Sequence, residues 1–204
     1  MIDIILATQN KHKVVEIAEI MKDVPIRLLT LADFPNIPDI EETGDTFAEN
    51  ALLKARAVFQ KTNLITLSDD SGLEVDALNG APGIYSARFA GETKSAAANN
   101  AKLLRELQNV PDAQRTAQFR CVVAIVTPDF EKTVEGIVRG KIIRAPRGEG
   151  GFGYDPLFVP DGYSQTFAEL GAEVKNRISH RAKAFTAAKE MLKQLISNEL
   201  KGEG

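Results

Sequence analysis

Ala117–Ile143 reads AQFRCVVAIVTPDFEKTVEGIVRGKII. Two runs rich in β-branched residues, Ala117–Thr127 and Glu131–Ile143, flank a short T-P-D-F turn, the pattern of an antiparallel hairpin. Everything upstream alternates between strand and helix. IDIILAT (Ile2–Thr8) reads as a buried strand that Gln9 and Asn10 break. A helix over Lys11–Met21 follows, with Val14, Ile17, Ala18 and Met21 on one face. Val24–Thr43 reads as mostly loop with a short strand near Ile26–Leu29. Thr46 and Glu49 form a T-x-x-E capping box, and Phe47, Ala51, Ala55 and Val58 predict a helix ending near Thr62–Asn63. LITLS (Leu64–Ser68) is a second buried strand, expected to deliver Asp69 and Asp70 at its C-terminal end.

Downstream, LNGAPG is turn-forming and Lys94–Leu107 reads as a helix. After the hairpin come a glycine-rich loop, Gly148–Gly153, and a short strand at PLFV. A final helix covers Ile178–Leu200, with Phe185, Ala188, Met191, Leu192 and Leu195 as its apolar stripe. The order β-α-β-α followed by a hairpin predicts a mixed α/β sheet with flanking helices, split into two lobes, within a single domain over residues 1–204.

Composition narrows the function classes. Hydrophobic residues make up 44% of the 204, enough for a sizeable core, and the net charge of -3 gives no basic footprint for nucleic acid. The single cysteine, Cys121, lies in an apolar run and reads as a small buried side chain, which with no disulfide partner fits a reducing cytoplasm. The N-terminal apolar run is too short for a signal peptide or membrane span. A cytoplasmic protein without membrane or nucleic-acid partners is expected.

Four constellations carry possible chemistry, each beside a plain structural alternative. ATQNKHK sits at a strand-to-helix junction, where N–H groups, Thr8, Asn10, Lys11 and Lys13 make either a phosphate cradle or a capped helix with solvated lysines. Glu41, Glu42, Asp69 and Asp70 form an oxygen-only set suited to Mg²⁺, or else a loop and a turn in which one Asp caps backbone N–H groups. A metal would also offset the repulsion between adjacent aspartates. EGGFGYDP (Glu149–Pro156) offers either close backbone approach and an aromatic face to a base, or a turn whose aromatics fill an interface. In KNRISHRAKAF, Lys175, Arg177, His180, Arg181 and Lys183 gather positive charge at the expected start of the last helix, where the helix dipole disfavours it unless an anion is present. Lys54 reads by default as an exposed helix lysine.

T-x-N-x-x-K, SDDSGLEVDALNGAPGIYSARFAG, GGFGYDPLF and ISHRAKA occur in that order. Together they resemble the inosine triphosphate pyrophosphatase family, enzymes of bacterial type acting on XTP, ITP and dITP, over almost the whole chain. The resemblance implies two lobes around a deep nucleotide cleft, a homodimer, a Mg²⁺ requirement, and hydrolysis between the α- and β-phosphates. By motif it implies Asp70 as proton acceptor, with Glu41 and Asp70 as metal ligands. It implies substrate contacts from Thr8, Gln9, Asn10, Lys11, His12, Lys13, Lys54, Ser71, Phe152, Gly153, Tyr154, Asp155, Lys175, His180 and Arg181. A nucleotide sensor without hydrolysis, and a pyrophosphatase acting on modified pyrimidine or methylated nucleotides, are the competing readings.

Overall fold

In the computed structural model, which describes residues 2–202 and the side chains of 2–197, six strands form one mixed sheet in the order β2-β1-β3-β4-β5-β6. They are β1 (Ile2–Leu6), β2 (Ile26–Thr30), β3 (Ile65–Val75), β4 (Thr116–Val126), β5 (Glu131–Ile142) and β6 (Phe158–Pro160). β1 runs parallel to β2 and β3, whereas β6 runs antiparallel to β5. The helices are α1 (Lys11–Met21), α2 (Phe47–Thr62), α3 (Ala96–Glu106), α4 (Phe167–Ile178) and α5 (His180–Gly202). The expected mixed α/β sheet with flanking helices is what forms. Among the described residues no helix is long and apolar enough to cross a membrane.

The chain divides into two compact units, one of residues 1–70, 121–136 and 181–204, the other of 71–120 and 137–180. In the first, side-chain alternation along the strands separates two layers. Ile65 and Leu67 of β3, with Cys121, Val123 and Ile125 of β4, pack with Ile17 and Met21 of α1 and with Phe185, Ala188 and Leu192 of α5. The opposite face of β4 gives Ala124 and Val126 to Ala51 and Ala55 of α2, and Ile5 of β1, with Ala7 just past its end, meets Val58. In the second unit, Leu73, Val75, Leu103, Phe119, Val138, Phe158 and Phe167 share a separate core, with the Phe119 and Phe158 rings 4.8 Å apart, edge to face.

Several boundaries differ from the sequence reading. β1 stops at Leu6, and α3 begins at Ala96 behind a Ser95 cap. The larger correction is β3, whose 11 residues carry straight through SDDSG to Val75. Asp69 and Asp70 therefore lie in mid-strand, not at its end, and are 1% and 6% exposed. Two carboxylates and a glycine read as a breaker only while no partners are in view. The sequence reading also lacks α4. Its start repeats the tetrapeptide that starts α2, T-F-A-E, and both Thr46/Glu49 and Thr166/Glu169 close reciprocal capping boxes. Gly171, at φ 76°, interrupts α4, which is why the apolar period is hard to follow there.

Phe185 is fully buried in the layer that backs Asp69. Phe185→Ala is expected to lose about 3–5 kcal/mol, measured as a lower urea midpoint at unchanged m-value.

Candidate functional site

The first unit gathers its polar residues around the Asp69–Asp70 step. Successive strand residues face opposite sides, so the two carboxylates point into different layers. Asp69 Oδ2 accepts from Lys13 Nζ of α1 at 2.8 Å and lies 3.7 Å from Arg181 Nε of α5. Arg181, 2% exposed, also donates through Nη1 to Glu16 of α1 at 2.6 Å. Lys13 and Glu16, one turn apart on α1, thus bracket Asp69 and Arg181 in a neutral quartet of alternating charges. Burial alone would raise the Asp69 carboxyl, but Lys13, Arg181 and Lys54 outweigh it and hold the group well below the usual carboxylate range. Cys121 Sγ is 3.8 Å from Asp69 Oδ2, and burial together with that carboxylate pushes the thiol up, so Cys121 is the inert buried side chain expected.

Asp70 is handled differently. Its Oδ2 accepts from Asn50 Nδ2 of α2 at 3.1 Å. Lys54, one turn further on, donates to the Asp69 backbone carbonyl at 2.7 Å and pairs with Glu42. Burial pushes the Asp70 carboxyl up to about 6; Glu42 adds to this, while Lys54, Lys13 and the Asn50 hydrogen bond oppose it. Burial opposes the charge on Lys54, yet Glu42, Asp69 and Asp70 raise its pKa, so it stays an ammonium. Its side chain is 13% exposed, contrary to the default reading of a solvated helix lysine. Glu41 is exposed, and among the described residues no hydrogen bond or ion pair engages it; Glu42 is half-buried against Lys54.

At the head of α1 the structural alternative is realised for the backbone. Asn10 is the N-cap, and its Oδ1 accepts from His12 N and Lys13 N, the N–H groups a phosphate cradle would present. Thr8 Oγ1 accepts from Asn10 N. Gln9, Asn10, Lys11 and His12 are exposed, and Lys13 is the residue of this segment drawn into the acidic cluster.

The second unit holds the other set. Asp155 and Lys175, 2% and 4% exposed, form an ion pair of 2.7 Å. Asp155 Oδ2 also accepts from Phe152 N at 2.8 Å, and Lys175 Nζ lies 4.4 Å from the centre of the Phe152 ring. Gly151, at φ 73°, is required here because a Cβ would fall on the Asp155 carboxylate. Tyr154 does not present an exposed face: it is 4% exposed, its hydroxyl donates to the Ser86 carbonyl at 2.8 Å, and burial raises its pKa. The Gly153 carbonyl accepts from Asn100 Nδ2 at 3.0 Å. His180 stacks on Phe119 at 4.7 Å. Ser71 is the half-buried β3 residue directly after Asp70.

The basic cluster expected at one helix start is split between two helix ends. Lys175 and Arg177 lie in the last turn of α4, where the dipole favours cations, and only His180, Arg181 and Lys183 begin α5. Asn50 and Glu16 escaped the sequence reading. Asn50 had a signal: with Lys54 it occupies the Phe47–Ala51–Ala55–Val58 face of α2, where a polar residue is out of place unless it has a buried partner. Glu16 had a weaker one, its spacing of three from Lys13 on α1.

The chemistry available to the first cluster is that of a carboxylate poised near neutrality beside two ammonium groups. The Asp70 shift also sets a stability test. A folded-state pKa of about 6 lies above the unfolded value of about 3.9. The stability Asp70 contributes is complete below the unfolded value and is lost as pH rises through the folded one. In chelator, Asp70→Asn is expected to be more stable than wild type at pH 7.5 by on the order of 2 kcal/mol, with the gap closing near pH 4. Denaturant melts at both pH values check this. Asp69 is present in both proteins and cancels in the difference.

The Ham1 family profile matches residues 4–191. A dITP/XTP pyrophosphatase of Desulforamulus reducens is 55% identical over 96% of this chain and 98% of its own length. The dITP/XTP pyrophosphatase of Geobacter sulfurreducens is 52% identical over 93% and 96%. Among solved structures, a HAM1 protein from Coxiella burnetii superposes with a TM-score of 0.88 at 42% identity, covering 95% of this chain and 100% of that one. The Staphylococcus aureus Ham1 protein does so with a TM-score of 0.85 at 43% identity, covering 94% and 98%. With near-complete coverage in both sequence and structure, this chain belongs to the Ham1 family.

Proposed function

We propose that this chain hydrolyses dITP, XTP and ITP between the α- and β-phosphates. The products are the nucleoside monophosphate and pyrophosphate, and the reaction clears non-standard purine nucleotides from the pool before they enter DNA or RNA. Its relatives' names support the reaction, and the observation that carries it is the state of Asp70. A buried carboxyl raised to about 6, with Lys54 and Lys13 near enough to act on it, suits a general base working near neutral pH.

The donor set fits Mg²⁺. Among the described residues no three His, Cys, Asp or Glu side chains are gathered as a metal site, but Asp70 and the loop residues Glu41 and Glu42 offer oxygen ligands only, and Glu42 raises the Asp70 carboxyl, a repulsion that a divalent cation relieves. Asp70 and Glu41 would hold the ion, since Glu42 is already taken by Lys54. When bound, it supplies charge neutralisation on the phosphates and an acidified water. Lys13 and Lys54 stabilise the charge that develops as the bond to pyrophosphate breaks. Asp70 orients the attacking water and takes its proton, and in-line attack releases pyrophosphate.

Base choice falls to donors. Inosine and xanthine carry a carbonyl at C6 where adenine has an amino group, so N–H donors from His180 and Arg181 donate to the former and leave the latter mispaired. The purine ring falls to the Phe152–Asp155 segment and Lys175. The homodimer follows the family resemblance, and light scattering on the purified chain tests it.

With Mg²⁺ present, pyrophosphate release is expected to favour ITP, XTP and dITP over GTP, ATP, UTP and m5UTP. Best activity on a pyrimidine or methylated nucleotide overturns the substrate class. Asp70→Asn is expected to keep the fold and lose activity by about 10²–10⁴-fold; near wild-type turnover removes Asp70 as the base. His180→Ala and Arg181→Ala are expected to narrow the ratio of kcat/KM between ITP and ATP. An unchanged ratio in both refutes the donor account.

A further inference from the structure

Asn50 is 1% exposed on α2 and uses both ends of its amide. Its Oδ1 accepts from Gly44 N at 2.8 Å, and its Nδ2 donates to Asp70 Oδ2 at 3.1 Å. The orientation is fixed chemically, because a backbone N–H can be met only by the amide oxygen, which turns the NH₂ toward the carboxylate. Gly44 ends the E-E-T-G loop that carries Glu41 and Glu42. That loop can come this close only because position 44 has no side chain: a Cβ there would lie 2.7 Å from Glu49 Cβ and 2.9 Å from Asn50 Oδ1. The capping box at Thr46 and Glu49, with Glu49 Oε2 accepting from Asp45 N and Thr46 N, anchors the same segment one residue later.

We propose that Asn50 is a positioning residue for the hydrolysis, setting the rotamer of the Asp70 carboxylate and tying to it the loop that carries Glu41 and Glu42. This rests on the reading of Asp70 as the base. A hydrophobic residue at position 50 would satisfy the apolar face of α2 equally well, so the amide serves Asp70 and Gly44 and not the core. Removing it takes away the amide donor that orients the Asp70 carboxylate and leaves the loop tied to α2 by the cap and the Lys54–Glu42 pair, without a tether at Gly44. Partners of this kind, acting through a reacting group, cost about 10- to 100-fold in activity when removed.

The test combines kinetics on the full chain with stability in chelator. Asn50→Ala is expected to lower kcat for dITP by about 10- to 100-fold with KM within about three-fold. Ser95→Ala, which removes the α3 cap away from this loop, is the control for lost stability: its Tm falls while kcat holds. Asn50→Asp keeps the shape but places a second carboxylate against Asp70, so its Tm at pH 7.5 in chelator is expected to fall. Adding Asp70→Asn reverses donor and acceptor: the new amide at position 70 donates to the new carboxylate at position 50, whose other oxygen still serves Gly44. The double variant is expected to recover the lost Tm beyond the sum of the single effects. A kcat for Asn50→Ala within two-fold of wild type, with Asp70→Asn inactive, overturns the inference and leaves the proposed function standing. Additive Tm effects in the paired variants overturn it too, and they remain readable if Asn50→Ala does not fold. If Asp70→Asn is itself active, the reading of Asp70 falls, and the role of Asn50 with it.

Discussion

Two carboxylates buried side by side in mid-strand are the constraint around which the first unit is organised. In an extended strand the repulsion between neighbours is eased by geometry, because Asp69 and Asp70 point to opposite faces of the sheet. What remains is desolvation, and each layer answers it separately. On the α1/α5 side, Lys13 and Arg181 neutralise Asp69. On the α2 side, Asn50 and Lys54 meet Asp70 only in part, which leaves its carboxyl raised. The difference between a charge-compensated and an under-compensated carboxylate separates Asp69, which anchors the layer, from Asp70, the proposed base, although the two are consecutive in sequence.

The charge-compensated side explains how α1 and α5 dock. The quartet of Lys13, Asp69, Arg181 and Glu16 draws one residue from β3, one from α5 and two from α1. Side-chain exposures of 0% and 2% for Asp69 and Arg181 put the centre of the quartet out of water. Burying such a group gains little over an apolar core, but leaving any member without its counter-charge costs several kcal/mol. That asymmetry specifies register more than it adds stability: a slip of α1 by one residue would put Lys13 and Glu16 out of reach. Below the quartet, the apolar contacts of Ile17, Met21 and Phe185 supply the driving force.

Much of this was legible. The strand and helix order, the hairpin and its turn, the α2 capping box and the α5 stripe all follow from local period and cap chemistry, which need no tertiary context. Of the residues the resemblance implies as a site, the structure gathers Lys13, Lys54, Asp70 and Arg181 in the first unit and Phe152, Asp155 and Lys175 in the second. What escaped depends on partners distant in sequence. SDDSG looks like a turn because the cations that let it stay in a strand come from Lys13, 56 residues before Asp69, and from Arg181 on α5. α4 escaped because Gly171 breaks its period, even though its T-F-A-E start was in plain view. Pairs such as Asn50–Asp70 leave only an indirect trace in sequence, a polar residue on an apolar face.

Within each unit the long cations are held in place by acidic partners. Lys13, Lys54, Lys175 and Arg181 each hold a carboxylate, Asp69, Glu42, Asp155 and Glu16 respectively. Long cationic side chains carry about 2 kcal/mol of rotamer entropy apiece. Here that entropy is surrendered on folding, not on binding. Under the proposed function, an anionic or carbonyl-bearing ligand meets donors already oriented within each unit, and the rearrangement that would otherwise accompany bond breaking is completed on folding. Each acidic partner weakens its cation's field somewhat, but it fixes the cation's position. For a reaction whose demands are placement and charge stabilisation, fixed position is the more valuable of the two.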